Sequence, residues 1–284
     1  MSTIQLGPLA LPLAPLVLLV AAGLALWLGK RLGRRAGIDT EPVLLRMLLL
    51  GLLGARLGFV WQWRGTYLHD ALSILDLRDG GWEPVAGFAV AIVYGLAQSQ
   101  RLTALRRPVM VSTVALMLIW TAGELAVAAF SQSRGRPLPA ISLPALDGAS
   151  VALTGYVGKP TVVNLWATWC PPCRREMPLL QQAQAAHPAV NFVFVNQGEG
   201  SAQVSRYLQS EGLTLRNVLL DARRATGAAF NESALPTTLF FDAKGNWVAT
   251  RIGALSEATL AQRLDALRTS APACLKQPQQ QAVC

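Results

Sequence analysis

The first stretch of the chain, from Met1 to Gly29, contains no charged residue, and this most constrains what the chain can fold into. Within it, the apolar run from about Leu9 to Leu28 has the length of roughly 20 residues that a helix needs to cross a bilayer. A cleaved signal peptide would carry its positive charges before such a run. Here they follow it, at Lys30, Arg31, Arg34 and Arg35. We therefore expect a retained transmembrane helix whose N-terminus lies outside the cytoplasm.

Three more apolar segments follow, from about Val43 to Trp63, Pro84 to Ala97 and Val109 to Phe130. The middle one is short, so a re-entrant or soluble core helix is its alternative interpretation. Charged residues make up only 14% of the chain, against about a quarter in soluble domains. The sequence predicts an α-helical membrane domain of about four transmembrane helices over residues 1–130, and a polar linker over residues 131–138.

Loop charges predict how the helices are oriented. One basic loop follows the first helix, and another contains Arg101, Arg106 and Arg107, whereas the loop between them holds three aspartates. The positive-inside rule places both basic loops in the cytoplasm. Four crossings then put everything after about Ser131 outside the bacterial cytoplasmic membrane. The net charge of +9 is explained by these loops and a lipid bilayer, so we expect no nucleic-acid partner.

Two ionisable residues, Arg56 and Glu124, lie at similar depth inside the second and fourth predicted helices. Unpaired charges in lipid cost several kcal/mol, so we expect these two to form an ion pair that locks the helices together.

The segment from Gly54 to Val60, followed by Asp79-Gly80-Gly81, resembles the N-terminal part of prolipoprotein diacylglyceryl transferase over roughly residues 5–125. That family continues with a functional histidine and two glycines, where this chain has Val85, Ala86 and Gly87. The resemblance implies a shared helical scaffold without an active acyl transferase. A transferase-like membrane enzyme with an appended redox domain is kept as an alternative function.

The second half has a different pattern, that of a thioredoxin-like α/β domain over residues 139–270. An apolar β-branched strand at Thr161–Ala167 leads into Cys170-Pro-Pro-Cys173 and a helix to about Ala186. A hairpin is predicted around Asp147-Gly148. The later elements are strands at Asn191–Asn196, Thr237–Phe241 and Trp247–Ile252, and helices at Ser201–Gly212, capped by Ser201, and at about Ser256–Leu267.

A CxxC pair either binds zinc or is redox active. Zinc sites need a second CxxC or two histidines at fixed spacing, and the two histidines here, His69 and His187, are remote from each other. We therefore expect no metal and no cofactor. A CxxC at a strand–helix junction is typical of a redox dithiol. Cys170 begins the helix, whose dipole lowers a thiol pKa, so Cys170 is predicted to be the nucleophile and the more buried Cys173 the resolving thiol.

The segment from Val163 to Pro178, together with Val195–Glu199 and Leu235–Thr238, resembles the TlpA/ResA/CcmG family of membrane-tethered thioredoxin-like proteins over about residues 137–270. The resemblance implies a periplasmic thiol-disulfide oxidoreductase that reduces disulfides in extracytoplasmic partner proteins. It also implies a membrane electron donor of the CcdA or DsbD kind, since no cysteine occurs in the predicted membrane helices. A periplasmic disulfide oxidase is the alternative, because reductases and oxidases use the same dithiol.

The fold context also implies further site residues. Pro236 is expected to follow a cis peptide bond and face the dithiol. Glu176 matches a family glutamate that could manage the proton of the resolving thiol, its alternative being a solvated helix-face residue. Asn164 replaces the buried aspartate of cytosolic thioredoxins. Substrate contacts are predicted for five residues, although a packing aromatic is equally expected of the first: Trp169, Pro171, Pro172, Leu235 and Thr237.

Two more cysteines, Cys274 and Cys284, lie in a tail over residues 271–284. In an oxidising compartment they are expected to form a small structural disulfide. A mobile dithiol relay to Cys170 is the alternative.

Overall fold

The computed structural model describes residues 3–6, 9–67, 80–130 and 135–269. The chain divides into two compact units near residue 131. The first unit is helical, and the second combines helices with a β-sheet.

The first unit begins with a short antiparallel hairpin of β1 (Thr3–Leu6) and β2 (Leu9–Pro12). Its helices are α1 (Leu13–Arg35), α2 (Glu41–Gln62), α3 (Arg64–Tyr67), α4 (Pro84–Arg101) and α5 (Arg106–Phe130). The four basic residues that were expected in a loop after the first helix instead occupy the last turns of α1. Cations are favourable there, because the C-terminal end of a helix carries partial negative charge.

Within the described residues, three helical stretches are long and apolar enough to cross a membrane: Pro15–Arg35, Glu41–Gln62 and Thr103–Val127. Helix α4 forms as predicted but is not among them, since its last four residues, Gln98–Arg101, are polar. The count of four crossings therefore stays a prediction.

Helices α2 and α4 pack closely through small residues. A Cβ atom at Gly87 would lie 2.7 Å from the carbonyl oxygen of Gly51, and one at Gly58 would lie 2.5 Å from the Ala86 Cβ. Gly51 also faces Ala91. Residues later in α2 therefore contact residues earlier in α4. The two helices are therefore antiparallel, with the close backbone approach that glycines allow.

The predicted ion pair between Arg56 and Glu124 is wrong: among the described residues no salt bridge joins them. Helix α2, which carries Arg56, packs against α4, whereas α5, which carries Glu124, packs against α1. Arg56 is buried and donates from Nη1 to the carbonyl oxygen of Gly81 at 3.0 Å. Its guanidinium also lies 5.6 Å from the centre of the Tyr67 ring.

The second unit contains strands β3 (Ser142–Pro144), β4 (Ser150–Ala152), β5 (Thr161–Trp166), β6 (Asn191–Gln197), β7 (Val218–Asp221), β8 (Thr237–Phe241) and β9 (Trp247–Ile252). Its helices are α6 (Pro171–Ala186), α7 (Ser201–Ser210), α8 (Ala225–Ala229) and α9 (Glu257–Thr269). Strands β3 and β4 form the hairpin predicted around Asp147-Gly148.

Five of these strands form one sheet in the order β7-β6-β5-β8-β9. Strand β5 is central, parallel to β6 and antiparallel to β8, with Leu165 opposite Val195 on one side and Thr237 on the other. All six of its residues are buried, as an apolar β-branched run predicts for a strand covered on both faces. The predicted thioredoxin-like α/β architecture is confirmed.

Side chains of β5 alternate between two apolar clusters, one on each face of the sheet. Val162 and Trp166 belong to the cluster that also contains Met177 and Leu180 of α6. Asn164, between them, therefore faces α6 as well. This placement brings a polar side chain of the central strand beneath the helix that carries the dithiol.

Several elements of the second unit differ from the sequence predictions. Strand β7 and helix α8, of four and five residues, were not predicted. Ser201 is the first residue of α7 rather than its cap, a position held by Gly200. The last helix begins at Glu257 and ends at Thr269, slightly later than expected.

Candidate active site

The dithiol lies at the junction between the central strand β5 and helix α6. Strand β5 ends at Trp166, and Cys170 is the N-cap residue of α6 with an extended backbone (φ −91°, ψ 106°). Cys173 follows in the first turn. The two Sγ atoms are bonded at 2.08 Å, with the Cα atoms 5.3 Å apart. The structure therefore holds the oxidised, disulfide form of the pair.

The start of α6 favours negative charge on Cys170. Its Sγ accepts a hydrogen bond from the Cys173 backbone N–H at 3.3 Å, the geometry of a side-chain cap. Pro171 and Pro172 occupy the first two helical positions, where a missing N–H costs nothing. The N–H donor and the helix dipole together stabilise a Cys170 thiolate once the disulfide is reduced. Cys170 keeps 3% exposure and Cys173 none, so an incoming sulfur meets Cys170 first.

Glu176 lies one turn after Cys173 and is only 2% exposed, so its interpretation as a solvated residue is wrong. Its Oε1 accepts from Asn164 Nδ2 at 2.8 Å, and its Oε2 accepts from the Leu255 N–H at 2.9 Å. Burial raises the pKa of Glu176 to about 7, against these two hydrogen bonds and the charge of Arg251, which lower it. The result is a buried carboxyl group with a pKa near neutral pH, one helical turn after Cys173.

Asn164 connects the elements beneath the dithiol. Its Nδ2 also donates to Thr238 Oγ1 at 3.0 Å, so one amide group links β5, α6 and β8. Sequence analysis noted Asn164 only as a departure from cytosolic thioredoxins. The structure shows instead that its amide supplies a hydrogen bond to the Glu176 carboxylate, which an aspartate at this position could not donate while ionised.

The Leu235–Pro236 peptide is cis, as predicted. Thr237 pairs with Leu165 near the end of β5, so Pro236 lies at the sheet edge from which the dithiol segment leaves. Pro236 and Thr237 are buried, and Leu235 is half-buried. The Thr237 hydroxyl donates to the Ala234 carbonyl at 2.7 Å and so fixes this loop.

The surface beside the dithiol is formed by Trp169, Pro171 and Pro172. Trp169 is 58% exposed, so its interpretation as a packing aromatic is wrong. Pro171 is exposed and Pro172 half-buried. The structure thus brings an exposed aromatic ring directly before the predicted nucleophile, where an incoming polypeptide can contact it.

A shallow depression of about 440 Å³ adjoins this surface, between α6 and α7. An exposed ion pair closes one side of it, with Arg174 Nη2 2.6 Å from Glu211 Oε1. The Arg174 guanidinium also lies 5.4 Å from the centre of the Tyr207 ring. The lining residues are Thr168, Arg174, Gln203, Arg206, Tyr207, Ser210 and Glu211.

One buried residue near the dithiol, Glu199, was missed by sequence reasoning. It follows β6, is 7% exposed, and accepts a hydrogen bond from the Thr168 N–H at 2.7 Å. The available signal was a charged residue in the Val195–Glu199 segment that carries the family resemblance. Cys274 and Cys284 lie outside the described residues, so both interpretations of the tail stay predictions.

Comparisons with known proteins agree with this geometry. Residues 133–266 match the Redoxin family. The thioredoxin-like protein YneN of Bacillus subtilis is 33% identical over 137 residues, which cover 46% of this chain and 78% of the relative. The thiol-disulfide oxidoreductase ResA of the same organism is 32% identical over 132 residues, which cover 46% of this chain and 73% of the relative.

A solved structure of a thioredoxin-family thiol:disulfide interchange protein from Chlorobium tepidum has 28% identity and a TM-score of 0.43, covering 48% of this chain and 99% of that one. The Redoxin match leaves the first half of the chain outside it, so the transferase-like resemblance of that half stays a prediction. With a disulfide at the start of α6 on a thioredoxin-like sheet and a Redoxin domain over residues 133–266, the chain belongs to the ResA-like thiol-disulfide oxidoreductases.

Proposed function

We propose that the chain is a membrane-anchored oxidoreductase that reduces disulfides in partner proteins outside the cytoplasm. The observation that carries this proposal is the Cys170–Cys173 pair at the start of α6 with a buried carboxyl group, Glu176, one turn later. This arrangement supplies a stabilised thiolate, a resolving thiol and a proton acceptor in one helix.

The reaction begins from the dithiol. The Cys170 thiolate attacks one sulfur of the partner disulfide, so a bond forms between Cys170 Sγ and that sulfur while the partner S–S bond breaks. The second partner sulfur leaves as a thiolate and takes up a proton. The intermediate is a mixed disulfide between the two proteins.

Cys173 completes the exchange. It loses its thiol proton to the Glu176 carboxylate and attacks Cys170 Sγ, which breaks the mixed disulfide and forms the Cys170–Cys173 bond. The first partner sulfur leaves as a thiolate and is protonated in turn. Two electrons have passed to the partner, and the disulfide form of the structure is the product.

A new cycle needs two electrons from another protein. The cysteines of the chain are Cys170, Cys173, Cys274 and Cys284, so none lies in the helical unit. The helices therefore cannot carry electrons across the membrane by thiol–disulfide exchange. We assign the reduction of the Cys170–Cys173 disulfide to a membrane dithiol donor of the CcdA or DsbD kind. The helical unit, whatever its resemblance to a diacylglyceryl transferase, serves as the anchor in this proposal.

The membrane proposal includes α4 as a fourth crossing. An 18-residue helix is about 27 Å long, close to the ~30 Å of the hydrocarbon core. It packs antiparallel against α2 between Gly51 and Gly58, and α2 is itself long and apolar enough to cross a membrane. Large apolar side chains, including Leu19, Leu49 and Leu118, are exposed on the unit, as lipid contact requires. Domain boundaries are proposed at 1–130, 131–138, 139–270 and 271–284.

Labelling in intact bacterial cells tests this topology. In a background without native cysteines, Lys244→Cys lies on an exposed turn of the second unit, and Thr103→Cys lies between α4 and α5. A membrane-impermeant maleimide should label the first in intact cells and the second only after permeabilisation. The opposite result, or labelling of both or neither in intact cells, would contradict the four-crossing arrangement.

Trapping and redox titration test the activity in the full-length protein. Cys173→Ser should retain partner proteins as mixed disulfides on Cys170, whereas Cys170→Ser should retain none. The reduction potential should lie near the thioredoxin value of about −270 mV. A value near −120 mV, typical of strong oxidants, would favour the oxidase instead.

A further inference from the structure

Glu199 forms a compact hydrogen-bond cluster in the loop between β6 and α7. Its Oε2 accepts from the Thr168 N–H and from Asn196 Nδ2, each at 2.7 Å. Its Oε1 accepts from Thr168 Oγ1 and from Gln203 Nε2. Its own N–H donates to Asn196 Oδ1 at 3.2 Å. One carboxylate in the loop after β6 therefore connects three segments: the turn after β5, the end of β6 and the first turn of α7.

The cluster satisfies a buried charge with neutral donors. Glu199 is 7% exposed, and within the described part of the chain no lysine or arginine lies at ion-pair distance from its carboxylate. Burying a carboxylate is costly unless it is hydrogen-bonded, and here each oxygen has two donors. Hydrogen bonds to an ionised acceptor are short and directional, so they fix the positions of their donors more firmly than neutral ones.

The Glu199 carboxylate binds Thr168 twice, through its backbone N–H and through its hydroxyl group. Thr168 lies in the turn between β5 and α6, two residues before Cys170. The same turn is closed by the Cys170 N–H, which donates to the Ala167 carbonyl at 3.2 Å. The position of Cys170 at the helix start therefore depends on a turn that is anchored from outside by Glu199.

The hydrogen bonds from Thr168 to Glu199 matter most for the position of Cys170 when the disulfide is reduced. In the oxidised form the S–S bond itself ties Cys170 to Cys173. In the dithiol form that covalent tie is absent, so the position of the turn depends more on its hydrogen bonds and on the packing of Ala167 and Cys170 in the core. We propose that Glu199 is a positioning residue that keeps Cys170 Sγ at the start of α6 in the reduced protein. This inference rests on the proposed dithiol exchange and adds a residue to it that touches neither sulfur.

The test compares rates of thiolate attack in the reduced full-length protein in detergent. The readout is the second-order rate constant for reducing 5,5′-dithiobis(2-nitrobenzoate), measured over pH and taken at the plateau where Cys170 is fully ionised. Wild type and variants all carry Cys274→Ser and Cys284→Ser, so that only the Cys170–Cys173 dithiol reacts. Glu199→Ala should lower the plateau roughly tenfold, because small displacements of a reacting atom cost that much or more. The plateau removes differences in the fraction of Cys170 that is ionised, and the melting temperature of the oxidised form reports stability separately.

Glu199→Gln tests whether the hydrogen bonds of residue 199 to Thr168 or its negative charge determine the rate at Cys170. Its amide oxygen can still accept from the Thr168 N–H, while its NH₂ group can donate to the Thr168 hydroxyl, which is able to accept. We therefore expect this variant to keep most of the wild-type plateau. Asp265→Asn, which removes an exposed carboxylate of α9, is the control and should match the wild type.

Two further variants keep the test decisive if Glu199→Ala does not fold. Thr168→Val removes the hydroxyl bond but keeps the backbone bond and should lower the plateau about threefold, whereas Thr168→Ser should keep it. A wild-type plateau in Glu199→Ala or in Thr168→Val would overturn the proposal, as would a Glu199→Gln plateau as low as that of Glu199→Ala. Failure of the wild type to reduce the probe would instead overturn the proposed function.

Discussion

Asn164 and Glu176 meet beneath the disulfide, with the Asn164 side-chain amide donating to the Glu176 carboxylate at 2.8 Å. The pair joins the central strand to the helix that carries both cysteines. Burial raises the pKa of the Glu176 carboxyl group, and the hydrogen bond from Asn164 partly offsets this rise by favouring the ionised form.

The pKa of Glu176 should make the stability of the oxidised protein depend on pH. Burial raises this pKa from its usual 4.5 to about 7, so the folded state binds the proton more tightly than the unfolded chain. The stabilisation is complete below about pH 4.5 and is lost as the pH rises to about 7. At ~1.4 kcal/mol per pH unit, the loss is about 3 kcal/mol. Relative to Glu176→Gln, the wild type should lose this amount of unfolding free energy between pH 4.5 and pH 7.5.

Protease susceptibility of the second unit in the full-length protein measures this difference at each pH. Glu257→Gln, which removes an exposed carboxylate at the start of α9, should leave the pH dependence of the wild type unchanged. A difference between wild type and Glu176→Gln that is constant with pH would show that this carboxyl group does not titrate as proposed. In the reduced protein, Glu176→Gln should also slow resolution of mixed disulfides by Cys173.

Replacing Asn164 by aspartate should destabilise the fold above neutral pH. Asn164→Asp exchanges a donor for an acceptor against Glu176 and Thr238, and it places two buried carboxyl groups side by side. One of them must stay protonated, so the pKa of the pair rises and ionising both costs about 2–4 kcal/mol. Thermal denaturation should show a melting temperature that falls more steeply with pH than that of the wild type. Asn164→Leu, which adds no charge, should lower it without this steepening.

Trp169 should matter for protein substrates but not for folding. Its side chain is 58% exposed, so Trp169→Ala should change the unfolding free energy by less than about 0.5 kcal/mol. Exposed tryptophans that become buried in a complex often contribute 1–2 kcal/mol or more, so kcat/KM for a disulfide-bearing protein should fall roughly tenfold. The rate with a small disulfide should not change, and Trp169→Phe should recover most of the loss. Equal losses with both substrates would assign Trp169 to the chemistry instead.

The contact between α2 and α4 predicts opposite effects for two glycine substitutions. A Cβ at Gly87 would lie 2.7 Å from the carbonyl oxygen of Gly51, which cannot move without shifting the backbone, whereas a Cβ at Gly23 meets nothing within 4 Å. Gly87→Ala should therefore destabilise the helical unit by about 1–3 kcal/mol. Gly23→Ala should leave it unchanged or raise its stability by up to about 1 kcal/mol, since alanine favours helix. Thermal unfolding in detergent measures the stability of both variants. Equal changes in stability for Gly87→Ala and Gly23→Ala would contradict the close contact between α2 and α4.

The dithiol segment could be predicted from sequence because its signals are local. The β-branched run of β5, the CxxC spacing and the following helix lie within one short stretch and agree with one another. Strand β7 and helix α8 give no comparable signal, because four or five residues are too few to show a period.

The contacts of Arg56 and Glu199 could not be predicted, because they depend on which distant segments meet. Arg56 and Glu124 are predicted from sequence to lie at similar depth in their helices, but depth does not determine which helices pack together. The partner of Glu199, Thr168, is 31 positions away, and only the folded sheet brings the two segments side by side. Sequence patterns reveal the strands on either side of that contact and nothing of the hydrogen bonds between their loops.

The two prolines that open α6 also determine what the helix start can recruit from solution. A helix normally presents up to four free amide hydrogens at this end, which is why dissolved phosphate and sulfate often settle there. In α6 the amide hydrogens are absent at Pro171 and Pro172, that of Cys173 is directed at the Cys170 sulfur, and that of the N-cap residue Cys170 donates to the Ala167 carbonyl. No vacancy is left for a competing anion in this turn. The rate of disulfide reduction should therefore be the same in phosphate, sulfate and chloride buffers of equal ionic strength, because the start of α6 binds only the Cys170 sulfur.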